Sequence, residues 1–237
     1  MVLFDQLISD TEGLLPEKRK VWKYHSDRLW PQTKENEIIM MRETAFELGG
    51  SGKPSVNYTC VTSDESKVPE DEILLFGPDL CSIKSNTPFA RIAFLQVEEM
   101  NTDEEAHKAI RNLEYMKYHI FPKGYMIRAS SMNYREQVRI GKREIKEGIS
   151  FETIGNTFIE SYKRNPLVKH VRLIFITEQL PAFAKLVEYA GKSEGIIKAL
   201  DHIMDGLDTD CQHCDMKIIC DEVEGMREMH FKKAGLI

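Results

Sequence analysis

The segment Phe89-Ala90-Arg91-Ile92-Ala93-Phe94-Leu95-Gln96-Val97 constrains this chain more than any other. Side chains on a strand alternate between two faces, so a one-sided sheet shows alternating polarity. Here the apolar run is too continuous for that, and the spacing predicts a central strand covered on both faces. Other β-rich segments flank it: residues 45–48, 56–62, 73–76, 125–129, 137–140 and 167–177. Between them run helical patterns. Thr102-Asp103-Glu104-Glu105 has the form of a capping box. Ala106, Ile110 and Leu113 then mark one helical face, with Lys117 at its rim. Phe151, Ile154, Phe158 and Tyr162 form a second stripe that Pro166 ends, and residues 183–207 form a third helix. Strands alternating with helices predict an α+β (mixed α/β) fold, a mixed sheet with flanking helices.

Three regions follow. Residues 1–43 are expected to form a helical arm that starts near Pro16, aligns Trp22, His25 and Leu29, and stops at Pro31. In that arm the basic run over residues 17–23 is a solvated helix face. Residues 44–207 form the α/β body, and residues 208–237 a cysteine-bearing appendage.

The appendage carries the chemistry. Cys211-Gln212-His213-Cys214-Asp215-Met216-Lys217-Ile218-Ile219-Cys220 places three thiols within ten residues. The chain has five cysteines, an odd number with three clustered, which argues against a disulfide framework and for reduced thiols in the cytoplasm. Soft thiolates select zinc, copper(I) or iron–sulfur clusters. Structural zinc sites usually add a second Cys/His pair at similar spacing. Here His213, His230, Cys60 and Cys81 do not supply one. A tight cysteine group with one remote ligand suits an iron–sulfur cluster, with zinc as the alternative. Cys81, after a Gly-Pro-Asp turn, is the candidate fourth ligand. Cys60, inside a strand, is the alternative to it.

Other signals are weaker. Gly49-Gly50-Ser51-Gly52-Lys53-Pro54 is not a phosphate loop, because Glu47 stands where the first glycine belongs and Pro54 replaces the Ser/Thr. Arg128, Arg135, Arg139 and Arg143 crowd one pair of strands and could meet an anion such as the phosphates of coenzyme A. A solvated sheet edge that discourages aggregation is the favoured explanation of them. A net charge of -6 disfavours nucleic-acid binding. No apolar stretch is long enough to span a bilayer.

Several segments, taken in order, resemble one family. They are Phe46-Glu47-Leu48-Gly49-Gly50, Phe76-Gly77-Pro78-Asp79-Leu80 and Thr87-Pro88-Phe89-Ala90-Arg91-Ile92. They continue with Val138-Arg139-Ile140-Gly141-Lys142-Arg143-Glu144, Ser150-Phe151-Glu152-Thr153-Ile154-Gly155 and His170-Val171-Arg172-Leu173-Ile174-Phe175-Ile176-Thr177. This order is similar to the middle domain of the acetyl-CoA synthase subunit (beta subunit) of the CO dehydrogenase/acetyl-CoA synthase system. In that family a helix then leads to a cluster domain that opens with Asp-Thr and Cys-x2-Cys. Asp208-Thr209-Asp210-Cys211-Gln212-His213-Cys214 stands in that place.

The resemblance implies a [4Fe-4S] cluster on Cys211, Cys214 and, at a shorter spacing, Cys220. It also implies an anaerobic setting and a protein partner, either a corrinoid protein or a subunit of the CO dehydrogenase/acetyl-CoA synthase type. The family's fourth cysteine and its nickel-binding Cys-Gly-Cys would fall beyond Ile237, so no nickel is expected. Asn133-Tyr134-Arg135-Glu136 also replaces the family's Gln-Arg-Asp stretch. Acetyl-CoA synthesis by this chain alone is therefore not expected. Three functions remain in view. The first is an iron–sulfur accessory protein docking a partner. The second is an enzyme whose open-iron cluster acts on an acyl-CoA or a methyl donor. The third is a zinc-stapled interaction module.

Overall fold

The computed structural model describes residues 2–50, 52–129, 134–206, 213–233 and 235 of the chain. Eight strands and seven α-helices are found among them. In order they are α1 (Asp5–Leu14), β1 (Lys20–Lys23), β2 (Thr44–Leu48), β3 (Ser55–Thr62), β4 (Glu72–Phe76) and β5 (Phe89–Val97). Next come α2 (Asp103–Met116), β6 (Tyr125–Ala129), β7 (Gln137–Gly141), α3 (Lys142–Glu147), α4 (Phe151–Lys163) and β8 (Val168–Ile176). The chain continues with α5 (Phe183–Met204), α6 (Lys217–Glu222) and α7 (Met226–Lys233).

The larger sheet has the order β1-β4-β8-β5-β3, and the smaller has β2-β7-β6. In the larger sheet β3 runs parallel to β5 and β4 parallel to β8, while β5 and β8 are antiparallel. It is therefore the mixed sheet that the sequence predicts. Every residue of β5 is buried, as a strand covered on both faces requires. On one face Phe89, Phe151 and Phe175 meet, with the rings of Phe151 and Phe175 4.6 Å apart, which seats α4 on the sheet. Gly155 makes that approach possible, because a Cβ there would lie 2.7 Å from Ile73. The other face takes α1 and α5. The Tyr58 and Thr11 hydroxyls share a 2.8 Å hydrogen bond, and the Ser193 hydroxyl donates to the Thr59 carbonyl at 3.0 Å.

The N-terminal arm differs from expectation. Its helix is α1, and Pro16 follows its end instead of opening it: the residue before a proline favours extended backbone, and Leu15 has φ -84° and ψ 140°. The basic run is not a helix face. Residues Lys20–Lys23 form an edge strand antiparallel to β4, with Trp22 half-buried and the other three exposed. Lysines at a sheet edge discourage pairing with other chains.

Thr102 caps α2 as foreseen, accepting the Glu105 N–H at 3.2 Å. The return bond falls one residue earlier, where Glu105 accepts the N–H of Asn101. Lys117 is not at the rim: its side chain is buried and pairs with Glu114. Helix α3 had no counterpart in the sequence reading. It is short, and Gly148 closes it with φ +94°, the left-handed cap that glycine favours.

Candidate metal centre and the buried charge cluster

Helix α5 leads toward the cysteine segment, and of the three clustered thiols Cys211 lies outside the described residues. Cys214 sits in the turn before α6, where its carbonyl accepts the Lys217 N–H at 3.0 Å. Cys220 lies on α6 itself and donates its N–H to the Met216 carbonyl at 3.0 Å. Both thiols are half-buried, and none of the four described cysteines is in a disulfide. The element that carries them is fastened to the body. Ile219 packs where a Cβ on Gly195 would come within 2.9 Å, and Lys192 pairs with Glu222 at 3.3 Å. Lys233 of α7 reaches Glu104 at 2.7 Å.

Among the described residues no three His, Cys, Asp or Glu side chains converge as a metal site. The donor chemistry still fits a soft metal: two thiols that are neither bridged nor sunk in the core, six residues apart on one short element.

The other two cysteines stand apart. Cys81 is exposed in a single 3-10 turn, Leu80–Ser82, beyond the end of β4. Helix α6 shares a cleft with Asp64 and Lys67, which follow β3. Strands β3 and β4 run in opposite directions, so Cys81 and α6 lie beyond opposite ends of the sheet. Cys60 is fully buried at the middle of β3, opposite Phe94. Burial, then the charge of Glu114, pushes its thiol well above the usual range, which opposes the thiolate that a metal needs.

The four arginines do not form one group. Arg128 and Arg139 converge on Glu47, at 2.7 and 2.9 Å. Arg139 also donates to the Ile39 carbonyl at 3.1 Å. Arg143 pairs with Glu147 along α3, at 2.6 Å and in solvent. Arg135 lies in the segment leading into β7. An anion approaching Arg128 and Arg139 must therefore compete with a carboxylate already in place.

A cluster that the sequence reading did not single out occupies the face of the large sheet beneath α4. Arg91 on β5 and Glu136, just before β7, form an ion pair at 2.5 Å with both side chains almost wholly buried. The Tyr125 hydroxyl donates to Glu136 at 2.5 Å, and the Asn57 amide donates to its other oxygen. Arg91 also donates to the Lys117 carbonyl at 2.6 Å, and its guanidinium lies 4.3 Å from the centre of the Phe158 ring. Burial alone works against the Arg91 charge, but Glu136 outweighs it and holds the guanidinium protonated. Burial, then Glu136, pushes the Tyr125 hydroxyl well up. The pair ties β3 and β5 of the large sheet to the small one. The Asn57 N–H adds a backbone bond to the Tyr134 carbonyl at 2.7 Å. One signal was present in the sequence: Ser55, Asn57 and Thr59 place polar side chains on alternate positions of a strand whose every residue is buried.

A family model described as CO dehydrogenase/acetyl-CoA synthase complex beta subunit matches residues 31–181. That span is more than half of the chain and holds both halves of the Arg91–Glu136 pair and all four arginines. Cys211, Cys214 and Cys220 follow it. No curated protein matches the chain.

Proposed function

The chain belongs to the family of the CO dehydrogenase/acetyl-CoA synthase complex beta subunit, and on that premise we propose that it is an iron–sulfur accessory protein of acetyl-CoA-synthase-like, corrinoid-linked one-carbon metabolism that docks a partner protein. The observation that carries this reading is the placement of Cys214 and Cys220. Both thiols are half-buried on one short element fastened to α5, the helix that follows the family-like span. Cys211 completes the set. Thiolates hold iron–sulfur clusters in such groups, and the bound cluster would supply one-electron chemistry. The burial of Cys60 and the remoteness of Cys81 favour a set of three thiolates from this chain, with the fourth ligand from outside it.

The docking part has its own support. Ile38, Met40 and Met41 expose apolar side chains, Met41 at 68%. Arg139 reaches the Met41 sulfur at 2.8 Å, and Arg42 and Lys142 border the same stretch. An exposed apolar patch with a charged rim suits a protein partner. The family's printed description, a subunit of a complex, agrees with a protein partner. The enzyme reading shares that open ligand position, but its acyl-CoA half lacks support, since Glu47 already engages Arg128 and Arg139.

Single substitutions test the cluster. Cys214→Ser and Cys220→Ser are each expected to abolish or bleach the visible thiolate-to-iron absorption of anaerobically purified protein. Cys81→Ser should leave it intact. Loss in the first two with unchanged melting supports the assignment. Stoichiometric zinc in place of iron after metal-limited expression would instead make the site a structural staple.

A further inference from the structure

A second cleft lies at the sheet end where β3 and β5 finish and β8 begins. Its volume is about 720 Å³, and Glu65, Gln96, Glu98, Glu99, Lys169 and His170 line it. It shares no residue with the cysteine element, and the argument for it does not depend on a cluster. Gln96 faces His170 across the β5–β8 register. The Gln96 side chain is buried, and its Nε2 donates to the Val97 carbonyl at 3.1 Å. That bond assigns which end of the amide carries the N–H groups, because the Val97 oxygen can only accept. The Gln96 Oε1 is then left shielded from solvent with no donor of its own. His170, beside it, turns its Nδ1 toward the Asp71 carboxylate at 3.7 Å. A buried acceptor without a donor is costly.

Around Gln96 the charges that line the cleft are three carboxylates, Glu65, Glu98 and Glu99, against one lysine, Lys169, which Glu98 already engages. The cleft thus presents several acceptors and an excess of negative charge, with its floor unsatisfied. The geometry points to a binding site for an alkylammonium group, which carries three N–H donors and a positive charge on a narrow stem. One N–H meets Gln96 Oε1 once the amide swings out of its bond to Val97, about a soft torsion. The others meet the rim carboxylates of Glu65, Glu98 and Glu99. Such a group comes from a free polyamine or from a lysine side chain of a peptide.

Titration calorimetry of the full chain, at ionic strength held constant with potassium chloride, distinguishes these sources. The probes are spermidine and an acetylated, amidated tri-lysine peptide. Saturable binding of one probe per chain is expected. Spermidine alone would assign the free amine, and tighter binding of the peptide would assign a peptide side chain. Gln96→Leu removes the orphan acceptor at similar volume and is expected to weaken binding about tenfold or more, the worth of a hydrogen bond to a charged group. Glu99→Gln, an exposed change that leaves the floor intact, is expected to weaken binding. If neither probe binds saturably, the proposal is overturned. It is also overturned if Gln96→Leu, folded by its melting curve, binds as the parent does. Should Gln96→Leu not fold, unchanged affinity in Glu99→Gln overturns it.

Discussion

Glu136→Ala is expected to cost about 3–5 kcal/mol of unfolding free energy, the range for removing one partner of a buried ion pair. The size follows from what is left behind. Arg91 cannot lose its proton, its side chain is 1% exposed, and no other carboxylate is recorded within its hydrogen-bond reach among the described residues. The Tyr125 hydroxyl and the Asn57 amide lose their acceptor in the same step. Glu136→Gln keeps two acceptor lone pairs but not the charge, and it should fall between the parent and the alanine variant. Arg91→Met combined with Glu136→Leu should recover most of the loss, because a well-packed apolar pair costs no desolvation of charge. Urea denaturation checks all three. A loss under about 1 kcal/mol for Glu136→Ala would mean that water reaches Arg91, and the pair would not be the joint between the sheets.

Phe158→Ala should have an effect of similar size, about 3–5 kcal/mol for truncating a buried aromatic. Phe158 is fully buried, and its ring meets Tyr125 edge-on with centroids 6.1 Å apart. It also floors the guanidinium of Arg91. Its removal therefore opens a cavity directly under a buried charge. The Phe158 and Glu136 changes touch the same guanidinium, so their effects should not add. The double variant is expected to differ from the sum by about 0.5–3 kcal/mol. Strict additivity, measured by the same denaturation series, would show that ring and carboxylate act on Arg91 independently.

How much of this was legible in the sequence depends on the range of the interaction. The continuous apolar run of β5, the Thr102 cap and the Phe151–Tyr162 stripe are local patterns, and each holds in the structure. The edge strand β1 was missed because its four residues pair with β4, some fifty positions away in the chain, and Lys-Val-Trp-Lys fits a helix face as readily as a strand. Lys117 was placed at a helix rim because lysine is rarely buried. Its burial depends on Glu114 beside it and on the tertiary packing around Arg91.

The Arg91–Glu136 pair joins residues 45 apart, and no spacing rule links them. Arg128 and Arg139 were visible as a group, but Glu47, which pairs with both, comes from a strand much earlier in the chain. The cysteine group was legible by composition alone, because three thiols in ten residues need no tertiary information. Their convergence is a matter of geometry, and Cys211 lies outside the described residues.

Iron and acid-labile sulfide, measured on full-length chain purified under strict anaerobiosis, test the central claim most directly. The account predicts brown protein with about four irons and four sulfides per chain, as a [4Fe-4S] cluster requires. Colourless protein with neither, after reconstitution with iron and sulfide under reducing conditions, would contradict it.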